Sequence, residues 1–452
     1  MAERQESKLK RELTFSNLMA IAIGQIIGAG VMTMTGTAIG MTGTGVALAF
    51  MISPIITLIT DFPQAILGGT VPVSGGPYRY ISRLWGKRAG FVYIVLFIIT
   101  NVNLSMYALS FASYAVSLLT GLGQNFVAAV ILTVMFLVNI VGTKKAAIVN
   151  TLVSVVMIGS LLAFAALGLP KTDLDYVFTT TNLFDHGTMG LISAIALLGF
   201  ATSGAANITQ LGSEAKNPGR DIPAVIVLST ILCAFVYITV AITACGVLPI
   251  EQVANQNLTV VAREILPGPM YYIFVVGAAL GATASTLNST LSWVVKPILV
   301  ACDDGMLPRS LSTVNSKGVP WKLLVAFYLF GMFPIVTGVQ FSVIARLSTA
   351  INLIIRILTI TTLFRLVEKY PKSVEKSSLK LPTSMYKPWA VVASLISLVL
   401  AYSLLYSLTP SILLTLGGII VAAILYAVYG LKNVTIPDDL DIDYIGASAA
   451  EK

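Results

Sequence analysis

Two long apolar segments of this chain are interrupted by glycine near their middle. The first, at about residues 13–41, contains the run Gly24-Gln25-Ile26-Ile27-Gly28-Ala29-Gly30, and the sixth, at about residues 187–214, contains the run Gly199-Phe200-Ala201-Thr202-Ser203-Gly204. Glycine weakens a helix interior, and an unpaired backbone N–H or C=O group in hydrocarbon costs several kcal/mol. An interruption at mid-membrane therefore persists only where it lines a polar cavity, and the two segments predict a shared binding site.

The composition is that of a protein that crosses a membrane many times. Of the 452 residues, 56% are hydrophobic and only 11% are charged, and the mean hydropathy is +0.88, whereas about a quarter of the residues of a soluble domain are charged. Stretches of about 20 apolar residues are long enough to span a bilayer. We therefore predict an all-α polytopic membrane protein with twelve transmembrane helices, at about residues 13–41, 43–70, 89–119, 124–142, 145–168, 187–214, 221–245, 268–303, 321–338, 342–367, 387–407 and 409–431.

Basic residues are concentrated in alternate loops between these segments. One set of loops contains only Lys171 and Arg263, and the other contains Lys8, Lys10, Arg11, Arg79, Arg83, Lys87, Arg88, Lys144, Lys145, Lys216, Arg220, Arg309, Lys317, Lys322 and the stretch from Lys369 to Lys387. Membrane topology thus explains the net charge of +8 without a nucleic acid partner. Because basic loops face the cytoplasm, we expect a protein of the cell membrane with both termini cytoplasmic.

The positions of the two interrupted segments suggest an internal repeat. If these segments are equivalent, segments one to five and six to ten form a five-plus-five inverted repeat with discontinuous helices 1 and 6, because the first starts inside and the sixth outside. We predict one transmembrane transporter domain, with a first repeat at about 13–168, a second at about 187–367, two extra helices at about 387–431, all within residues 1–431, and a cytoplasmic tail at 432–452.

Four short motifs follow one another along the chain. The run Pro72-Val73-Ser74-Gly75-Gly76-Pro77-Tyr78-Arg79-Tyr80 resembles the P-x-S-G-G-x-Y-x-Y loop of amino acid permeases of the amino acid–polyamine–organocation (APC) superfamily, and Ile27-Gly28-Ala29-Gly30 resembles their first helix break. Glu214-Ala215-Lys216-Asn217-Pro218-Gly219-Arg220-Asp221-Ile222-Pro223 is similar to the family segment after helix 6, and Asp303-Asp304-Gly305-Met306-Leu307-Pro308 to the D-G-x-L-P at the end of helix 8. The chain is identified as a member of this family by the order of these motifs.

The resemblance implies a substrate site between helices 1 and 6 and transport by alternating access. A broken helix suits an amino acid, since its free N–H groups attract a carboxylate and its free carbonyls accept an ammonium group. Matched residue by residue, the resemblance implies carboxylate-binding N–H groups on Gly28, Ala29 and Gly30, and ammonium-binding carbonyls on Ile26, Phe200, Ala201 and Ser203.

Side-chain selectivity is predicted from residues around the second interruption. The resemblance makes Phe200 an aromatic gate over the substrate and places Asn101 towards the pocket, although helix–helix hydrogen bonding is an equal alternative for Asn101. Small residues at Gly204 and Ala205 predict a roomy pocket. Our hypothesis is therefore a carrier or exchanger of neutral amino acids with medium or large side chains.

Coupling to an ion is left open by the sequence. Some relatives have a lysine in helix 5 in place of a sodium ion, but the matching position here is near Met157 and has no charge. Ser285, Thr286 and Ser289 in helix 8 could bind sodium through their hydroxyls, or bond along their own helix. Exchange stays possible, as does a sodium- or proton-coupled symporter of amino acids or amines, and we favour exchange.

Arg356 lies deep in the tenth apolar segment, where a charge is costly and suggests a function. We see no intramembrane acidic partner for it in the sequence. It either recognises an anionic substrate side chain or bonds to carbonyls as a structural or gating element, and we favour the second interpretation.

Enzymes and channels are the rival classes. Motifs for a nucleophilic serine, a catalytic zinc or a phosphate loop are absent, and the single histidine, His186, is in a loop. A channel would need charged rings or filter loops, which are not visible. We therefore expect no catalytic residues, no metal site and no cofactor, and the expected partners are an amino acid substrate and the lipid bilayer.

Overall fold

The computed structural model describes residues 13–71, 76–119, 121–141, 146–179, 183–184, 186–211, 215–376, 382–436 and 440. In this part of the chain every regular element is a helix, apart from one isolated bridge between Leu13 and Ala215. Several predicted features lie outside the described residues, namely Lys8, Lys10, Arg11, Lys144, Lys145, the start of the Pro72 motif, Glu214 and most of the tail after residue 436.

The helices are numbered here in chain order. They are α1 (Phe15–Ile26), α2 (Ala29–Thr42), α3 (Val46–Thr70), α4 (Gly76–Leu84), α5 (Lys87–Thr100), α6 (Asn103–Val116), α7 (Gln124–Val141), α8 (Ala146–Gly168), α9 (Leu174–Phe178), α10 (Gly187–Thr202), α11 (Pro218–Gly246), α12 (Ile250–Val253), α13 (Thr259–Ile265), α14 (Gly268–Tyr272), α15 (Gly281–Trp293), α16 (Lys296–Asp303), α17 (Trp321–Thr337), α18 (Phe341–Ile360), α19 (Leu363–Lys369), α20 (Pro371–Lys376), α21 (Tyr386–Tyr406) and α22 (Pro410–Tyr429). A 3₁₀ helix at Ser203–Leu211 continues α10, and a π-helix at Ile273–Leu280 joins α14 to α15.

Nine helical runs among the described residues are long and apolar enough to cross a membrane. One of them, Phe15–Thr70, has 56 residues, far more than the roughly 20 that one crossing needs, and it turns back at Gly43–Gly45, where Gly43 has φ 61°. Two shorter apolar helices, Val155–Lys171 and Trp321–Thr337, add to these runs. The protein is therefore an all-helical, multi-pass membrane protein, while the count of twelve spans, the inverted repeat and the domain limits stay predictions.

The two ends of the first span differ in what covers them. On the side where α1 begins, called here the N-terminal side, the N–H of Lys216 donates to the carbonyl of Leu13 over 3.0 Å. On the opposite side, the N–H of Asn255 donates to the carbonyl of Gly36 over 2.8 Å. A Cβ atom at Gly36 would lie only 1.7 Å from the carbonyl oxygen of Gln256. The loop after α12 therefore lies directly on the backbone of α2 and closes this side.

Two of the sequence motifs meet on the N-terminal side. The hydroxyl of Tyr78, at the start of α4, donates to the carboxylate of Asp304 over 2.7 Å. Arg83 at the end of α4 pairs with the same carboxylate, with 3.0 Å between Nη2 and Oδ1. All three side chains are buried. This cluster fixes α4 against the end of α16.

Candidate functional site

The first interruption is a single sharp turn between α1 and α2. The helix ends at Ile26, Ile27 has φ −78° and ψ 79°, Gly28 has φ −128° and ψ −144°, and α2 begins at Ala29. The N–H of Gly28 donates to the carbonyl of Ile26 over 2.9 Å, which makes Ile27 the centre of an inverse γ-turn. The N–H groups of Ala29 and Gly30 are then the first of α2, where a helix offers no carbonyl of its own to accept them. This break lies within the run that the sequence indicated.

A tyrosine from a distant helix completes the turn. The hydroxyl of Tyr237, a fully buried residue of α11, donates to the carbonyl of Ile26 over 2.7 Å. Together with the Gly28 N–H it uses both lone pairs of that carbonyl. In this conformation the Ile26 carbonyl therefore has no capacity left for a substrate ammonium group. Sequence reasoning missed Tyr237, since a tyrosine in an apolar segment looks like an ordinary core residue.

The second interruption is a change of helix type. The α-helix α10 continues through Phe200 and Ala201 to Thr202, and the 3₁₀ helix begins at Ser203. We expected an open break across Gly199–Gly204, and the structure has instead a tighter helix from the end of that run. A 3₁₀ stretch inside a long helix often marks a hinge, because its hydrogen bonds are weaker than those of an α-helix. The hydroxyl of Ser203 donates to the carbonyl of Phe200 over 3.3 Å.

Glycines bring the two interruptions into contact. A Cβ atom at Gly30 would lie 2.8 Å from the Cα atom of Ala201. One at Gly204 would lie 2.3 Å from the carbonyl oxygen of Gln25. Our interpretation that Gly204 and Ala205 widen the pocket is not supported, because Gly204 is packed against the backbone of α1 and Ala205 is fully buried.

A cavity of about 670 Å³ lies where the two interruptions meet. Twelve of the predicted site residues line it: Ile26, Gly28, Gly30, Asn101, Phe200, Ala201, Ser203, Gly204, Ser285, Thr286, Ser289 and Arg356. The lining follows α1 back to Ala20 and includes Pro77 and Pro297, so the cavity extends towards the N-terminal side. Its volume is within the range of about 300–1,000 Å³ that is typical of small-molecule pockets.

Polar side chains from three other helices complete the wall. Asn101 follows the last residue of α5, and its Nδ2 donates to the carbonyl of Phe97 over 2.6 Å. Asn103 begins α6, and its buried Oδ1 has no hydrogen-bond partner among the residues that the structure describes. The hydroxyl of Thr286, on α15, lies 3.0 Å from where a Gly28 Cβ atom would be. The cavity thus places hydrogen-bonding groups around the first turn.

Arg356 has an acidic partner, which corrects the sequence analysis. Its Nη1 lies 2.9 Å from Oδ1 of Asp61 and donates to the hydroxyl of Thr60 over 2.7 Å. Asp61 and Thr60 belong to α3, and Arg356 belongs to α18. The prediction of an arginine without an intramembrane acid was wrong because Asp61 is a single carboxylate in an otherwise apolar helix.

A known protein family matches most of the chain in sequence. The family model for amino acid permeases matches residues 17–437. The chain belongs to the amino acid permease family. The permease is therefore an amino acid transporter and not an enzyme, as the order of its motifs indicated.

The curated relatives of the permease differ in the substrates that their names give. The branched-chain amino acid permease of Bacillus subtilis is 29% identical over 74% of this chain and 75% of its own length. The large neutral amino acids transporter small subunit 2 of Mus musculus is 27% identical over 74% of this chain and 66% of its own length. The cationic amino acid transporter 1 of Arabidopsis thaliana is 26% identical over 71% of this chain and 57% of its own length. The family of the permease is clear, whereas its substrate must be argued from the cavity.

Proposed function

We propose that this permease moves neutral amino acids with medium or large side chains across the cell membrane by alternating access, as a carrier or exchanger. The observation that supports a neutral substrate is the charge of the cavity wall. Arg356 is the one charged side chain among the described residues that line it, and Asp61 pairs with Arg356. The wall thus offers no uncompensated charge to balance a substrate that carries a net charge.

The backbone of the two interruptions suits the two ends of a zwitterion. The N–H groups of Ala29 and Gly30 are at the N-terminus of α2, where the helix dipole favours a carboxylate. The candidates to accept the ammonium group are three carbonyls at the change from α10 to the 3₁₀ helix, those of Phe200, Ala201 and Ser203. Phe200 lines the cavity and is the candidate aromatic gate. Two of the relatives named above are called carriers of branched-chain or large neutral amino acids, which supports the same class.

The shape of the cavity supports alternating access. It extends towards the N-terminal side, while the loop at Asn255 and Gln256 lies on α2 at the opposite side. A carrier has one such state for each side of the membrane. With both termini in the cytoplasm, as the distribution of basic residues predicts, this conformation faces the cell interior.

Two measurements test the proposal. A thermal-shift screen of purified protein with about twenty amino acids should give the largest stabilisation with neutral, medium or large side chains, because a ligand that binds the folded state raises its stability. Uptake of the best ligand into proteoliposomes should be saturable, and it should be faster when the same ligand has been loaded inside them. Stabilisation by glycine and alanine alone, or an unsaturable flux, would contradict the proposal.

Sodium coupling is the second candidate, and the position of Thr286 favours it over proton coupling. Ser285, Thr286 and Ser289 line the cavity, and Thr286 faces Gly28 at the first turn. Hydroxyl and carbonyl oxygens are suitable ligands for a hard cation. The neighbouring helix α8 contributes the apolar side chains of Val155 and Ile158 to the lining.

The variant Thr286→Val tests whether uptake is coupled to sodium or independent of it. If sodium binds at Thr286, uptake should depend on sodium in the wild type and lose that dependence in the variant. Thr283→Val is the matched control, because Thr283 is a fully buried residue of the same helix whose hydroxyl bonds to the carbonyl of Ala279. Wild-type uptake that is unchanged without sodium would exclude sodium coupling.

A further inference from the structure

We propose that the ion pair of Asp61 and Arg356 excludes cationic amino acids from the cavity of this permease. The inference rests on the proposed function and deepens it, since it names the element that separates neutral from cationic substrates. A relative named for branched-chain amino acids and one named for cationic amino acids are about equally similar to this chain. The choice between neutral and cationic substrates must therefore depend on residues particular to it.

The two charges of the pair are at different depths from the cavity. Arg356 lines the cavity, and its side chain is 14% exposed. Asp61 is 2% exposed and lies behind it, on α3. The pair is therefore an oriented dipole that turns its positive end towards the substrate.

The position of the guanidinium group is fixed by hydrogen bonds to α3. Its Nη1 donates to the hydroxyl of Thr60, and that hydroxyl donates to the carbonyl of Thr57 over 3.1 Å. Thr57 is tied to α10 in turn, because its hydroxyl is 2.8 Å from the hydroxyl of Thr202. Arginine stays protonated in proteins, so the positive end is permanent.

Arg356 also lies on the route to the site. It is seven residues beyond Thr349 on α18, which corresponds to about 10 Å along the helix axis, and both residues line the cavity. Because α18 runs towards the N-terminal side, a substrate that uses this opening must pass Arg356 whichever way its side chain points.

An oriented ion pair exerts an electrostatic force on the charged side chain of a substrate and almost none on a neutral one. Coulomb energy falls with distance, so a cation in the cavity is repelled by the nearer Arg356 more than it is attracted by the more distant Asp61. The side chain of a neutral amino acid feels no such force. The pair has no net charge, which keeps its cost within the membrane low compared with that of an isolated arginine.

The test compares two unbranched competitors that differ at the end of the side chain. Uptake of radiolabelled L-leucine into proteoliposomes is inhibited with L-lysine or with L-norleucine, which has a methyl group in place of the side-chain aminomethyl group. The readout is the ratio of the two inhibition constants. We expect wild-type protein to discriminate against lysine at least tenfold, which equals about 1.4 kcal/mol.

Four variants should differ in how well they accept lysine relative to norleucine, in an order that packing effects alone would not give. Arg356→Gln leaves the carboxylate of Asp61 unpaired, so it should accept lysine best, and the double variant Asp61→Asn with Arg356→Gln should accept it about tenfold better than the wild type. Asp61→Asn leaves only the positive charge and should exclude lysine most. Arg356→Lys keeps the sign of the charge and should keep the exclusion.

The buried pair of Arg83 and Asp304 gives a matched control, because neither residue lines the cavity. Neutralising it through Arg83→Gln with Asp304→Asn should lower stability without changing the lysine to norleucine ratio. Single variants with an unpaired buried charge are at risk of unfolding, and in that case the wild-type ratio and the double variant decide.

Two results would overturn the inference: equal inhibition by lysine and norleucine in the wild type, or an unchanged ratio in a double variant that still takes up leucine. A wild-type protein that takes up no neutral amino acid is a different outcome, which contradicts the proposed function itself.

Discussion

The two interruptions line the same cavity but are stabilised in different ways. At the first, the backbone leaves the helix at Ile27 and Gly28, and the freed carbonyl of Ile26 obtains a hydrogen bond from Tyr237 on another helix. At the second, the chain stays helical and only tightens at Ser203, whose own hydroxyl bonds to a carbonyl three residues earlier. The first therefore depends on its surroundings, whereas the second depends mainly on local backbone bonds. The two should respond differently to substitution.

The largest effect is expected at the contact between them. Gly204→Ala would place a Cβ atom 2.3 Å from the carbonyl oxygen of Gln25, and a backbone atom cannot rotate away. Overpacking of this kind costs about 3 kcal/mol, so we expect the uptake rate to fall about a hundredfold. Gly199→Ala is the control, since its Cβ atom would meet the hydroxyls of Ser53 and Thr57 at an ordinary 3.8 Å. Uptake should stay within about threefold in the control, and equal rates in the two variants would refute the close contact.

An intermediate effect is expected at the first turn. Tyr237→Phe keeps the ring and removes the hydroxyl that bonds to Ile26. The loss of one buried hydrogen bond costs about 1 kcal/mol, so KM should rise about fivefold while the maximal rate changes less. Tyr114→Phe removes a similar bond, from a fully buried tyrosine to the carbonyl of Met32 in α2. Tyr114→Phe should lower stability as much as Tyr237→Phe does, but without a change in KM. A KM effect of the same size in the two variants would show that Tyr237 acts only through stability.

The smallest effect is expected at the second interruption. Ser203→Ala removes the hydroxyl bond to Phe200, which at 3.3 Å is long, and leaves the backbone bonds of the 3₁₀ helix in place. KM for the best substrate in the thermal-shift screen should stay within about twofold of the wild type. A tenfold rise would mean that the second interruption also depends on side chains, and the contrast between the two regions would disappear.

The membrane class and the first break could be predicted, because apolar length and glycine runs act locally, and the family could be predicted from the order of four motifs. The form of the second interruption could not be predicted, since the same small residues permit an open break or a 3₁₀ helix. The contact of Gly204 with the backbone of Gln25 joins positions that are far apart in the sequence. The role of Tyr237 depends on a contact between α1 and α11, which are far apart in sequence. Asp61 was within reach of sequence reasoning, because it is the one charged residue of α3 and a carboxylate within a membrane segment is expected to pair with a base.

The seal on the side away from the N-terminus is made by main-chain atoms. The N–H of Asn255 and the carbonyl of Gln256 lie on Gly36. The side-chain amide of Asn255 packs against Gly40, whereas Gln256 is exposed. The side chain of Gln256 can therefore be changed while the closure is retained. Gly36 itself has no such freedom, because any side chain there would prevent the loop from settling.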